Sequence, residues 1–138
     1  MTPAPLTILV CGSRDFPASE RPTIRAWLAR LPPGTVVIHG AARGADSLAA
    51  SVAQELGFTV RPYAVDHALD GQWPAAGIRR NARMLAAEPS VSRCFAFTDA
   101  IQRGTGASRR LTGTGDMVGR CLAAGVVVTV VPPASQPL

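Results

Sequence analysis

Short, nearly continuous apolar runs alternate with stretches of helical periodicity along this chain, and that alternation constrains the fold more than any other feature. The runs are Thr7–Cys11, Thr35–His39, Phe58–Tyr63, Arg93–Phe97 and Val126–Val131. Strands buried on both faces read as continuous apolar runs, so five of them separated by helices imply a parallel sheet covered on both sides. Between them the spacing predicts helices over about Ser19–Leu31, from Asp46 to Leu56, over Gly77–Ala87 and over Thr114–Ala124. Pro22 falls in the first turn of the first helix, with Ile24, Leu28 and Leu31 on one face. Asp46 is read as the N-cap of the second, Leu48, Val52 and Leu56 as its buried stripe and Gly57 as its stop. Residues 64–76 read as a polar crossing and 98–112 as a long loop. The expectation is one α/β domain over residues 1–131, a five-stranded parallel sheet with helices on both faces, followed by a loose tail over 132–138.

Composition narrows the chemistry. With 138 residues, 47% hydrophobic and 17% charged, the chain can bury one core and is not of disordered composition. All 14 basic side chains are arginine. The absence of lysine excludes a G-x-x-x-x-G-K-[ST] phosphate loop, a Schiff-base lysine and a kinase-type lysine. The net charge of +5 is concentrated in residues 79–110, where Arg79, Arg80, Arg83, Arg93, Arg103, Arg109 and Arg110 face only Glu88 and Asp99. That region either attracts nucleic acid or a small polyanion, or is simply a basic surface. Cys11, Cys94 and Cys121 each lie in an apolar segment without C-x-x-C or metal-ligand spacing, so they read as buried free thiols of a cytoplasmic protein, with no metal site. Met1–Pro5 has no signal-peptide pattern, and no apolar run approaches ~18 residues, so no membrane span is expected.

Three glycine turns carry the functional signal. Gly12-Ser13-Arg14 follows the first strand, Gly40–Asp46 follows the second, and Gly113–Val118 opens the last helix. In an open parallel sheet all three belong to the edge formed by the carboxyl ends of the strands, where ligands bind. A helix N-terminus offers unpaired N–H groups and the positive end of the macrodipole, which suits a phosphate. The G-x-G-x-x-G dinucleotide fingerprint is absent after the first strand, and the second strand ends in His39 rather than an acid, so NAD and flavin roles are not expected. No cofactor is.

Val10-Cys11-Gly12-Ser13-Arg14-Asp15-Phe16 resembles the opening motif of the YspA-like branch of the SLOG superfamily. His39–Asp46 resembles that branch's second motif, Ala75–Met84 its A-A-G-x-x-R-N-x-x-M segment, and Ala96–Asp99 with Gly113–Val118 its A-F-x-D…G-T-x-D-M-V ending. The resemblance covers nearly the whole chain and implies a Rossmann-like fold whose strand-end loops bind a nucleotide or nucleotide-derived ligand. The superfamily holds the Lonely Guy phosphoribohydrolases, which cleave nucleoside 5′-monophosphates at the N-glycosidic bond, sensors of ADP-ribose-type signals, and DprA, which binds single-stranded DNA. The Lonely Guy signature P-G-G-x-G-T-x-x-E, aligned on Gly113-Thr114, puts Met117 in place of its glutamate. Asp116 lies one residue earlier, about 100° around the helix. Leu111-Thr112 replaces the glycine pair, while Arg80 matches the arginine of the enzymes' R-K-x-x-M, with Asn81 in place of lysine.

The ligand-binding set read from these motifs is Gly12, Ser13, Arg14, Gly40, Gly44, Asp46, Arg80, Asn81, Gly113, Thr114 and Gly115, with Asp116 and Arg80 as the catalytic candidates if catalysis occurs. Asp46 either bonds a ribose hydroxyl or caps its helix, and both can hold together. Arg80 either clamps phosphate or is a solvated helix residue. His39 reads as a hydrogen-bonded structural histidine, and Trp73 either stacks on a base or covers an apolar edge. The leading expectation is a nucleoside monophosphate or ADP-ribose-like ligand, bound by a sensor or a weak N-glycosidic hydrolase. The alternative is a single-stranded nucleic-acid-binding module using residues 79–110, although the seven aromatic residues are not interleaved with those arginines. A homo-oligomer is a further implication of the resemblance.

Overall fold

A computed structural model of the chain describes residues 4–99 and 113–137. Strands β1 (Thr7–Gly12), β2 (Val36–His39), β3 (Thr59–Pro62), β4 (Val91–Phe97) and β5 (Val127–Val131) form an all-parallel sheet in the order β3-β2-β1-β4-β5. The helices are α1 (Arg21–Leu28), α2 (Ala45–Glu55), the short α3 (His67–Asp70), α4 (Ala76–Ala87) and α5 (Gly113–Ala123). This is the parallel α/β architecture implied by the alternating pattern, and the Rossmann-like fold implied by the resemblance. The chain runs outward from β1 to β3, then crosses back to lay β4 on the other side of β1. The loops after β1 and β4 therefore part from each other at the centre of the sheet, which opens a crevice there.

Strand periodicity distributes the core over two faces. Ile8 and Val10 of β1 join Val37, Phe95 and Phe97 beneath α1 and α2, against Ile24, Leu28, Ala49 and Val52. Leu9 and Cys11 join Ile38, Cys94 and Ala96 beneath α4 and α5, against Met84, Met117, Val118 and Cys121. Each fully buried Val, Leu or Ile contributes roughly 1.5–3 kcal/mol. Two apolar layers on one sheet thus fix which helices stand on which side.

Several local expectations differ from the structure. Burial on both faces holds for β1, β2 and most of β4, whereas edge strand β3 exposes Thr59, Arg61 and Pro62, and edge strand β5 leaves Val127 exposed. The first helix is shorter than predicted and is preceded by a 3-10 turn at Ala18–Glu20. Gly44, at φ 78°, occupies the cap position of α2 in place of Asp46, because Asp46 lies inside the first turn and folds back onto the preceding loop. Helix α3 sits within the polar crossing and is N-capped by Asp66, whose carboxylate accepts the Ala68 N–H at 2.9 Å. The tail is tied to α1 and its leading turn: Trp27 Nε1 donates to the Ser135 carbonyl at 3.1 Å, and the Ala134 N–H donates to Glu20 at 2.7 Å. Most of the 98–112 loop, with Arg103, Arg109, Arg110, Leu111 and Thr112, lies outside the described residues.

Candidate functional site

A cleft of about 760 Å³ opens at the carboxyl edge of the sheet where β1 and β4 diverge. Its size falls in the ordinary range for small-molecule sites. Gly12, Ser13 and Arg14 enter it directly from β1. Glycine is required at position 12 because a Cβ there would stand 2.3 Å from the Phe97 carbonyl oxygen and 2.6 Å from the Ala45 Cβ. That crowding draws the end of β4 and the start of α2 onto the end of β1. The Ser13 N–H donates to the Phe97 carbonyl at 3.0 Å, and the Ser13 carbonyl accepts the Ala45 N–H at 3.1 Å. Gly44 packs under the same turn at positive φ, and a side chain there would strike the Arg14 carbonyl. Gly44 supports the cleft from behind and is not part of its wall.

Asp46 organises the turn after β2. One of its carboxylate oxygens, Oδ2, accepts the Gly40 N–H at 2.9 Å and the Ala42 N–H at 3.3 Å. This holds Ala41, between them, at φ 55°. Asp46 is only 5% exposed, and burial pushes its carboxyl up to about 6. The two backbone N–H groups and the Arg80 and Arg14 guanidinium groups oppose that rise. His39 is buried, with Nδ1 accepting the Ala41 N–H at 2.9 Å. Burial first, and Arg80 second, lower its pKa, so the ring is a neutral structural acceptor in agreement with its sequence reading.

Arg80 and Asn81 connect that turn to the far wall. Arg80 donates through one terminal nitrogen to the Gly40 carbonyl and to the Tyr63 carbonyl at 3.2 Å, and through Nε to Asn81 Oδ1 at 3.1 Å. Its other terminal nitrogen makes no hydrogen bond to a described residue. Burial lowers the Arg80 pKa, opposed by Asp46 and Asp70. Asn81, 4% exposed, donates through Nδ2 to the Gly113 carbonyl at 3.2 Å and to Asp116 Oδ2 at 3.1 Å. Gly113 and Thr114 carry the N-terminus of α5 into the cleft, and Met117 forms wall one turn deeper. Gly115 is buried behind them.

Asp116 is placed differently from the rest. Its carboxylate is held by Asn81 and, at 2.9 Å, by Arg120 one turn along α5, and it does not contribute to the cleft wall. The rotation of about 100° that separates it from Met117 on a helix turns it toward α4. Arg14 is exposed and makes no hydrogen bond or ion pair with a described residue, although it lines the cleft. Of the other arginines in the 79–110 stretch, Arg83 pairs bidentately with buried Asp70, both contacts at 2.8 Å, and holds that carboxyl down at about 2. The basic region is therefore partly neutralised from within. Sequence reasoning missed this pair because Asp70 sits in a helix too short to show periodicity. Cys11, Cys94 and Cys121 are free and buried as expected, with the Cys11 and Cys94 sulfurs 3.7 Å apart beneath the cleft.

Residues 6–69 match the model of a family described as the YspA, cpYpsA-related SLOG family. Over 107 residues the chain is 39% identical to the Gene 61 protein of Mycobacterium phage D29, covering 71% of this chain and 81% of that protein. Among solved structures, DNA processing protein A (DprA) from Streptococcus pneumoniae aligns with a TM-score of 0.63 at 18% identity, over 94% of this chain and 51% of the DprA chain. The chain thus spans about half the length of DprA, and at that identity the likeness is one of fold. The family match supports a nucleotide- or nucleic-acid-related binding role. No helix among the described residues is long and apolar enough to cross a membrane.

Proposed function

The chain belongs to the YspA, cpYpsA-related SLOG family, and from that premise we propose that its strand-end cleft binds a nucleotide-derived ligand through a phosphate group. One observation carries this reading: the N-terminus of α5 opens on a cleft that Arg14, Arg80 and the turn after β2 also line. Unpaired N–H groups, the helix dipole and guanidinium groups all favour an anion at the same place. In this reading Gly113, Thr114 and the outward terminal nitrogen of Arg80 meet the phosphate, and Arg14 closes over it from β1. Asp46, whose second oxygen makes no hydrogen bond to a described residue, takes a ribose hydroxyl.

The same geometry favours binding over hydrolysis. A carboxylate that stabilises an oxocarbenium-like centre or activates water must reach the reacting atoms. Asp116 is engaged by Asn81 and Arg120 away from the wall, and the position beside it on the cleft side is the thioether of Met117. We therefore assign Asp116 a positioning role at the start of α5. Buried free thiols accord with a reducing cytoplasm.

The test combines thermal unfolding with product analysis, using AMP and ADP-ribose at millimolar concentration. A native-state ligand must raise Tm by mass action, so an increase without release of free adenine is expected. No shift with either compound overturns nucleotide binding, and adenine release overturns the binding-only assignment. The nucleic-acid alternative draws on the arginine excess at 79–110, of which Arg80 and Arg83 are committed internally. It requires oligonucleotide affinity that falls steeply with salt and is lost when Arg103, Arg109 and Arg110 are replaced by alanine.

A further inference from the structure

We propose that Trp73 is the base-stacking residue of the cleft, so that the ligand carries an aromatic base one ribose away from the bound phosphate. The inference rests on the nucleotide reading above and adds to it the half of the ligand that the phosphate contacts leave unassigned.

The two tryptophans of the chain are placed in opposite ways. Trp27 is half-buried, tilted against Phe95 at 6.3 Å and bonded through Nε1 to Ser135, so it is part of the architecture. Trp73 is 56% exposed although it is among the largest apolar side chains available, and it lines the cleft. Its ring is nevertheless fixed in place. His67 meets it edge-on at 6.0 Å, and the His67 ring is itself tied through Nδ1 to the Gly71 carbonyl at 2.7 Å. One part of the indole rests against Gly77, where an added Cβ would lie 3.4 Å from Cζ3. A braced ring with an open surface on a cleft wall offers a stacking face without the cost of ordering it on binding.

Its place beside α4 matches a nucleotide. Gly77, Asn81 and Met84 of α4 line the cleft at helical spacing, and Trp73, in the turn before α4, lays its ring against Gly77. Gly77 and Asn81 are four residues apart, about 6 Å along the helix axis. Asn81 is where α4 bonds to Gly113 at the N-terminus of α5. The indole therefore stands about one helical turn from the proposed phosphate end, the interval a ribose bridges between its 5′-phosphate and its base. Pro17, Ile78 and Pro133 line the cleft as well and provide apolar rim for the base edges. Stacking on an indole is tolerant of base identity, because every base has a π-face, so the shelf selects for the presence of a base.

The experiment compares AMP with ribose 5-phosphate, which keeps the sugar and phosphate and lacks the base. Binding to the full chain is followed by calorimetry and by tryptophan emission in wild type, Trp27→Phe, Trp73→Leu and Trp73→Phe. AMP is expected to quench wild type and Trp27→Phe, and to bind Trp73→Leu about 10-fold more weakly. Ribose 5-phosphate affinity should change less than about twofold in Trp73→Leu, and Trp73→Phe should recover most of the AMP affinity. An unchanged AMP affinity in Trp73→Leu overturns the stacking role while leaving the phosphate reading intact. An equal loss for both compounds, or no recovery with phenylalanine, reduces Trp73 to a structural residue and also overturns it. If neither compound binds wild type, the nucleotide reading itself fails and the stacking role falls with it.

Discussion

Replacing Asp46 with asparagine separates its charge from its hydrogen bonds. In the folded protein the Asp46 carboxyl sits at about 6, against 3.8 for an ordinary aspartate, and burial is the main cause. Between those values the folded state keeps a proton that the unfolded chain has released. Stability therefore falls as pH rises from about 4 through about 6. About two pKa units correspond to about 3 kcal/mol in full, of which about 1.4 kcal/mol falls between pH 5 and pH 7.5. An asparagine amide oxygen can accept the same Gly40 and Ala42 N–H groups and does not titrate. Asp46→Asn should thus gain about 1.4 kcal/mol on wild type between pH 5 and pH 7.5, measured by urea unfolding at both values. His39 contributes with the opposite sign: its lowered pKa makes the unfolded chain take up its proton first, so that part of the stability is lost as pH falls through about 6.5. Since His39 is present in both proteins, the difference between them isolates Asp46. A neutral Asp46 also presents no like charge to a phosphate, so ADP-ribose, whose diphosphate does not ionise near pH 6, should bind wild type more tightly at pH 5 than at 7.5. The asparagine variant should flatten that dependence. An equal stability gap between the two proteins at both pH values refutes the reasoning.

Gly12→Ala forces a methyl group into 2.3 Å of the Phe97 carbonyl oxygen and 2.6 Å of the Ala45 Cβ, so it should cost about 3 kcal/mol, the upper end for overpacking, in urea unfolding. Gly119→Ala, in α5 with nothing within 4 Å of the new methyl group, should instead stabilise by about 0.5–1 kcal/mol, and equal effects at the two sites would remove the steric account of Gly12. Asn81→Ala removes three hydrogen bonds from a residue 4% exposed and should cost about 2–4 kcal/mol. Amide exchange at Thr114–Asp116 should accelerate in the same variant, and unchanged protection there would show that Asn81 does not hold the start of α5.

The β-run pattern made the sheet legible, because central strands of a parallel sheet must be apolar on both faces, and β1, β2 and β4 are. It failed at β3 and β5, because the edge strands are only partly covered by the helices: Arg61 and Val127 fall in apolar runs of sequence and stand exposed, while Val60 packs on the core. The glycine turns were legible as a cleft because Gly12 and Gly44 answer to backbone crowding, which sequence expresses directly. What each polar residue does there was not. Asp46 read as a cap and proved to bond backward into its own loop, a distinction that depends on whether the helix starts two residues earlier. Arg80 read as either ligand clamp or solvated residue, whereas most of its donors close onto the Gly40 and Tyr63 carbonyls and Asn81. Such pairings span 17 or 40 residues, and no local pattern encodes them.

Followed in order, those pairings form one hydrogen-bonded belt around the cleft. Asp46 gathers the N–H groups of the turn after β2, Arg80 takes the carbonyl of that turn, Asn81 takes Arg80, and Gly113 and Asp116 take Asn81, with Arg120 completing the chain. The belt joins the start of α2 to the start of α5, two helices on opposite faces of the sheet. A ligand that bridges the turn after β2 and the N-terminus of α5 binds at less cost when that separation is set before it arrives. The same belt pairs off Asp116, one of the carboxylates the hydrolytic reading would use, while Arg14, Arg80, Asp46 and Trp73 line the cleft. On the reading proposed above, those groups would meet a phosphate, a sugar hydroxyl and an aromatic ring.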